Sequence, residues 1–183
     1  DMRSFAMNAP RFNLDISSWD VSNVTDFGYA FYMVSDFNQD LSEWDVGSAT
    51  TLYSMFGSAW KFTSDLSNWD VSNVTKMNYM FYGASSFNSD LSNWDVSNVA
   101  NMSNMFREAA SFSNNDLSRW DVSNVTEENH GDFGSEWGPN NHEPIWRDVA
   151  FALEDSFQFT LSIEHGSTMQ AKIKANDRIG AYN

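Results

Sequence analysis

The chain has 183 residues, a net charge of −15 and a pI near 4.2. That charge repels phosphate backbones and anionic headgroups, so it argues against nucleic acid and anionic membranes as partners and favours cations or basic partners. Cysteine is absent, which excludes a disulfide framework, a zinc–thiolate site and a thiol nucleophile, while 42% hydrophobic and 16% aromatic residues are enough for a dense core.

Met2, Phe5, Ala6 and Ala9 precede Phe12 by the same intervals at which Met77, Met80, Phe81 and Ala84 precede Phe87. The chain thus opens within a repeat, and further repeats are expected upstream. From Phe12 onward the repeat is explicit. Phe recurs at Phe12, Phe37, Phe62, Phe87 and Phe112, and Trp-Asp-Val follows at Trp19, Trp44, Trp69, Trp94 and Trp120. The last unit is one residue longer because of Asn114-Asn115.

Within the unit that starts at Phe62, Leu66, Trp69 and Val71 are spaced i, i+3, i+5, and Trp69 and Val71 share a face if this segment is a strand. Met77, Met80, Phe81 and Ala84 then follow at i, i+3, i+4, i+7, the spacing of one helix face. Thr75, like Thr25 and Thr126, occupies the N-cap position of that helix, with Ala100 departing from the pattern. Each unit therefore reads as strand, turn, short helix, link. One unit cannot bury its own apolar stripe, so the units must stack.

The repeat ends after Thr126. Residues 127–148, rich in Gly, Asn, Pro and acid, read as a linker or capping loop. Phe157–Ile163 and Met169–Ile173 alternate apolar and polar, and Ile179–Tyr182 follows a turn, so residues 149–183 read as the start of a small β-domain, left incomplete. The string ANDRIGAYN resembles the opening of a small β-sandwich module appended to secreted proteins.

The expected fold is an α/β solenoid: a leucine-rich-repeat-like stack of about five 25-residue strand–turn–short-helix units over residues 1–126, then the linker and the partial all-β module. The string DLSNWDVSNVTKMNYMFYGASSFNSDLSNWDVSNV resembles the 25-residue surface-protein repeat of the mycoplasma-lipoprotein type, which is similar to BspA-like leucine-rich repeats. That resemblance implies an extracellular or cell-surface setting and a role in adhesion or interaction. It supplies no catalytic residues.

Two carboxylate ladders are the leading site candidates. Asp20, Asp45, Asp70, Asp95 and Asp121 follow each Trp, and Asp15, Asp40, Asp65, Asp90 and Asp116 precede it. Hard oxygen ligands in a row suit calcium, with Asp45, Asp70 and Asp95 the central candidates. The simpler reading is that each Asp accepts hydrogen bonds from the backbone just after it, in an Asx turn. Beside the first ladder lies a strip that varies from unit to unit, Ser18, Glu43, Asn68, Asn93 and Arg119, completed by Ser22, Gly47, Ser72, Ser97 and Ser123. Variation on an otherwise regular face suits a surface that recognises a protein or carbohydrate, and equally a solvated face under no constraint.

The Trp column is a sugar-stacking platform if exposed, but its place in the apolar pattern points to the core. His130, Asp132, Glu136, His142 and Glu143 gather in the 127–148 stretch without the spacing of a zinc motif. Asn23, Asn73, Asn101 and Asn124 head N-glycosylation sequons. No nucleophile elbow, metalloprotease motif or phosphate loop is present, and near-identical units are a poor source of one unique active site. The expected function is thus non-enzymatic: a structural or adhesive segment of a larger surface protein, self-associating into a fibre or surface layer. The alternative is a recognition module using the outward strip.

Overall fold

The computed structural model describes residues 1–146, 157–160 and 172–175. Two compact units are present, Asp1–Ile145 and Trp146–Asn183. Within the second, β1 (Phe157–Thr160) pairs antiparallel with β2 (Lys172–Ala175), Phe157 opposite Ala175 and Thr160 opposite Lys172. The expected strand at 179–182 lies outside the described residues.

The first unit corrects the expected architecture. It contains neither the strands nor the helices of an α/β solenoid, and its only regular element is one 3-10 turn at Glu127–Asn129. Each 25-residue repeat is instead a coil of consecutive turns, laid against the next.

The Met–Phe segment shows why no helix forms. Met77, Tyr79, Phe81 and Gly83 donate their backbone N–H groups to Asn101, Ser103, Met105 and Arg107 of the next coil at 2.8–3.0 Å. The residues between them close tight turns, with Met80 donating to Met77 and Tyr82 to Tyr79. An α-helix needs each of those N–H groups for the carbonyl four residues back. Every fourth residue also has positive φ: Tyr29 and Met33, Ser54 and Ser58, Tyr79 and Gly83, Asn104 and Glu108. A left-handed residue reverses the winding before a second helical turn can add. The i, i+3, i+4, i+7 spacing still marks burial correctly, since Met77, Met80, Phe81 and Ala84 are all fully buried.

The Leu–Trp–Val segment is not a strand for a related reason. Trp69 N–H donates to the Leu66 carbonyl at 3.1 Å and Val74 N–H to that of Val71 at 2.9 Å, so two turns fit where an extended run was expected. The backbone ladder lies where the helix was anticipated, with parallel bridges from Asp26 to Thr51, Thr51 to Lys76 and Lys76 to Asn101. Thr75 is a ladder member, not a cap. Its N–H and its hydroxyl both donate to the Thr50 carbonyl, at 2.9 and 3.1 Å.

Two phenylalanine columns fill the interior. Phe31, Phe56, Phe81 and Phe106 stack at 5.5–5.8 Å, Phe37, Phe62, Phe87 and Phe112 at 5.9–6.1 Å, and within one coil Phe81 lies 3.9 Å from Phe87. The 127–145 stretch continues this stack. Met102, Asn104, Phe106 and Glu108 donate to Asn129, Gly131, Phe133 and Ser135, and Trp137 stacks on Phe112 at 5.9 Å. Phe133 meets Phe106 edge-on at 5.4 Å.

Candidate functional site

The Asp–Trp–Asp turns form one face of the first unit. Asp20, Asp45, Asp70, Asp95 and Asp121 are exposed, as are Ser18, Glu43, Asn68, Asn93 and Arg119. Each Asp of the first ladder accepts the backbone N–H two residues on, from Ser22, Gly47, Ser72, Ser97 and Ser123, at 3.0–3.1 Å. The second ladder does the same with Ser17, Ser42, Ser67, Ser92 and Ser118, at 2.9–3.1 Å. Both columns are therefore built of Asx turns.

These bonds hold the carboxyls of Asp15, Asp20, Asp40, Asp65, Asp70, Asp95, Asp116 and Asp121 below the ordinary aspartate value. Asp15, Asp40 and Asp65 are lowered chiefly by the backbone N–H of the serine two residues on. Asp20, Asp70, Asp95, Asp116 and Asp121 are lowered chiefly by that serine's hydroxyl. Neighbouring coils oppose this weakly, Asp95 raising both Asp70 and Asp121. Hydrogen bonding to the charged form outweighs like-charge repulsion between exposed groups.

For Asp45, Asp70 and Asp95, the proposed calcium set, one oxygen of each is engaged by its own turn. Among the described residues no three His, Asp or Glu side chains converge on a point that could hold a metal ion. The cluster in 127–148 is drawn apart: Asp132 meets Arg107 at 3.2 Å and His142 lies 3.6 Å from Asp116.

The tryptophans belong to the scaffold. Trp44, Trp69, Trp94 and Trp120 are buried, and each indole N–H donates to a carbonyl one coil back: Ile16, Leu41, Leu66 and Leu91, at 2.9–3.1 Å. Trp19, first in the column, is 42% exposed and packs against Phe5 at 5.1 Å. Asn73 and Asn124, two of the sequon asparagines, donate their amides to the Gly47 and Ser97 carbonyls.

The variable strip contributes to one shallow groove of about 450 Å³. Glu43 and Asn68 line it together with Asn38, Asp40, Ser64 and Asp65. Buried Ser64 accepts the Leu41 N–H at 2.8 Å and donates to Asp40 at 3.3 Å, and Ser89 repeats this with Leu66 and Asp65. Asn93 and Arg119 share the exposed strip but not this groove.

A second set of residues escaped the sequence reading. Tyr29, Tyr53 and Tyr79 form a chain of ring contacts at 4.6 and 6.2 Å across three coils, joined by Tyr32 and Tyr82. The signal was available: five of the six tyrosines fall between positions 29 and 82.

Successive coils of 25 residues, the last one longer, joined by the same bonds at equivalent positions, define a tandem-repeat protein. Residues 1–70 and 49–134 match a family described as Mycoplasma protein of unknown function, DUF285, and the chain belongs to that family. No curated protein and no solved structure matches it.

Proposed function

We propose that the chain is a non-enzymatic, extracellular structural or adhesive segment of a larger surface protein, able to associate with itself into a fibre or layer. The observation that carries this reading is where the polar groups go. The aspartates close the turns of their own coils, and the indole N–H groups, asparagine amides and buried serines join one coil to the next, at equivalent positions in successive units. A chain so organised makes a regular acidic surface on a rigid frame. The sequence resemblance to the mycoplasma-lipoprotein type of surface repeat supports the surface setting. Electron microscopy and sedimentation of the purified chain test it. Filaments or concentration-dependent growth support assembly, and a strict monomer at all concentrations refutes it.

A second reading, recognition of a protein or carbohydrate through the outward strip, is favoured by the groove that Glu43 and Asn68 line. Replacing Asn68 and Asn93 by Arg abolishes binding without lowering the melting temperature if the strip is the binding surface. A lower melting temperature instead places both residues in the scaffold.

A further inference from the structure

A different segment of the coils carries a second groove, of about 250 Å³, lined by residues that include Arg3, Asp26, Thr51, Tyr53, Thr75 and Lys76. Its hydrogen-bond bookkeeping is one-sided. Asp26, the carboxylate of the lining, already accepts the Gly28 N–H at 2.7 Å and faces the Arg3 guanidinium at 3.7 Å. The Tyr29 hydroxyl donates to the Tyr53 oxygen at 2.6 Å, which leaves the Tyr53 proton to find an acceptor elsewhere. The Lys76 ammonium has no hydrogen bond or ion pair among the described residues, and its backbone is fixed by parallel bridges on both sides. Arg3 is 61% exposed along its side chain, and its contact with Asp26 is too long for a hydrogen bond.

The groove thus offers an ammonium, a guanidinium and a phenolic donor, with its one carboxylate already occupied. In a chain of net charge −15 this is a local reversal of sign. Beside the donors runs the Tyr29–Tyr53–Tyr79 series, with Tyr79 36% exposed. Cationic donors suit a carboxylate, and an aromatic wall with polar tips suits the apolar face of a ring that also bears hydroxyls. The volume is below the range of drug-sized pockets, which fits one ring of a chain better than a large ligand.

We propose that this groove binds a carboxylate-bearing sugar, a hexuronate unit of an acidic glycan, with Lys76 and Arg3 taking the carboxylate and Tyr53 the ring and a hydroxyl. The site is separate from the Glu43–Asn68 groove and independent of self-association, so either reading can fail without the other.

Calorimetric titration of the full chain with a short oligogalacturonate, a neutral oligogalactose, inorganic phosphate and a glutamate-rich peptide tests it. The oligogalacturonate is expected to bind, with the other three at least about tenfold weaker. Lys76→Ala should weaken binding by about tenfold, with Lys76→Arg restoring most of it, and Tyr53→Phe, which keeps the ring and removes the donor, by about fivefold. Asn68→Arg should leave it unchanged. The assignment is overturned by equal affinity for the neutral sugar, by phosphate or the acidic peptide binding as tightly, or by Lys76→Ala and Tyr53→Phe binding like the parent. Thermal melts of each variant establish that it is folded, and Tyr53→Phe decides the matter should Lys76→Ala unfold.

Discussion

At the scale of single residues, two hydrogen bonds recur along the repeat, and each makes a testable demand. The indole N–H of Trp69 meets the buried Leu41 carbonyl at 2.9 Å. Trp69→Phe keeps an aromatic ring and leaves that carbonyl without its donor, so it should cost about 1–3 kcal/mol in urea unfolding. In this chain Trp19→Phe should cost less, since Trp19 is 42% exposed and its indole N–H meets no carbonyl among the described residues. The serine-to-aspartate bonds make a demand on pH. Eight aspartates have folded-state values below the ordinary 3.8. Because the folded value is the lower one, their contribution is complete above the unfolded value and is lost as pH falls through the folded values. At high salt, where general repulsion in an acidic chain is screened, the urea midpoint should fall as pH is taken from about 5 to about 2. Replacing Ser72 and Ser97 by Ala should flatten that fall.

At the scale of the element, the sequence marked which residues are buried and misread the conformation that buries them. Leu66, Trp69, Val71, Met77, Met80, Phe81 and Ala84 all lie in the core, as their spacing implied. Spacing reports side-chain direction, and a run of tight turns can produce the same directions as a helix. What separates the two is backbone sign, and among the described residues Gly83 is the one glycine at a left-handed position, with asparagine, as at Asn104, a weaker sign. Tyr29, Met33, Tyr79 and Glu108 adopt the same conformation with ordinary side chains, held there by bonds to the next coil. Gly83→Ala places a Cβ 3.5 Å from Ser58 Oγ, an ordinary contact, so its penalty is conformational. It should destabilise by about 1 kcal/mol, read as a shift in urea midpoint at constant slope. The Asp columns were legible because an Asx turn is local and needs only Asp and the residues just after it. The Tyr53–Lys76 groove was not, because its lining is gathered from several coils and from no shared motif.

At the scale of the whole first unit, equivalent positions exchange equivalent bonds. Leu52 donates to Lys76 as Met77 does to Asn101, and Phe56 to Met80 as Phe81 does to Met105. Removing residues 62–86, one full period, should therefore leave every donor opposite an acceptor of the same kind. The shortened chain should fold cooperatively with a lower melting temperature, in keeping with a stack whose stability sums over neighbours. Removing half that length should abolish cooperative melting in circular dichroism, because turns would then face ladder bonds. The last coil shows how much irregularity the arrangement tolerates: with three extra residues between Met102 and Asn129, the ladder from Met102 to Glu108 still closes.

The bonds that run from Phe56 to Met80, or from Trp94 to Leu66, connect neighbours only. A load applied across the two ends of this unit would meet them one coil at a time, not all together. Each coil that yields would pay out 25 residues of slack, about 85 Å of extended chain, while the coils behind it kept their structure. A tether made this way would lengthen in steps under strain and rewind when released.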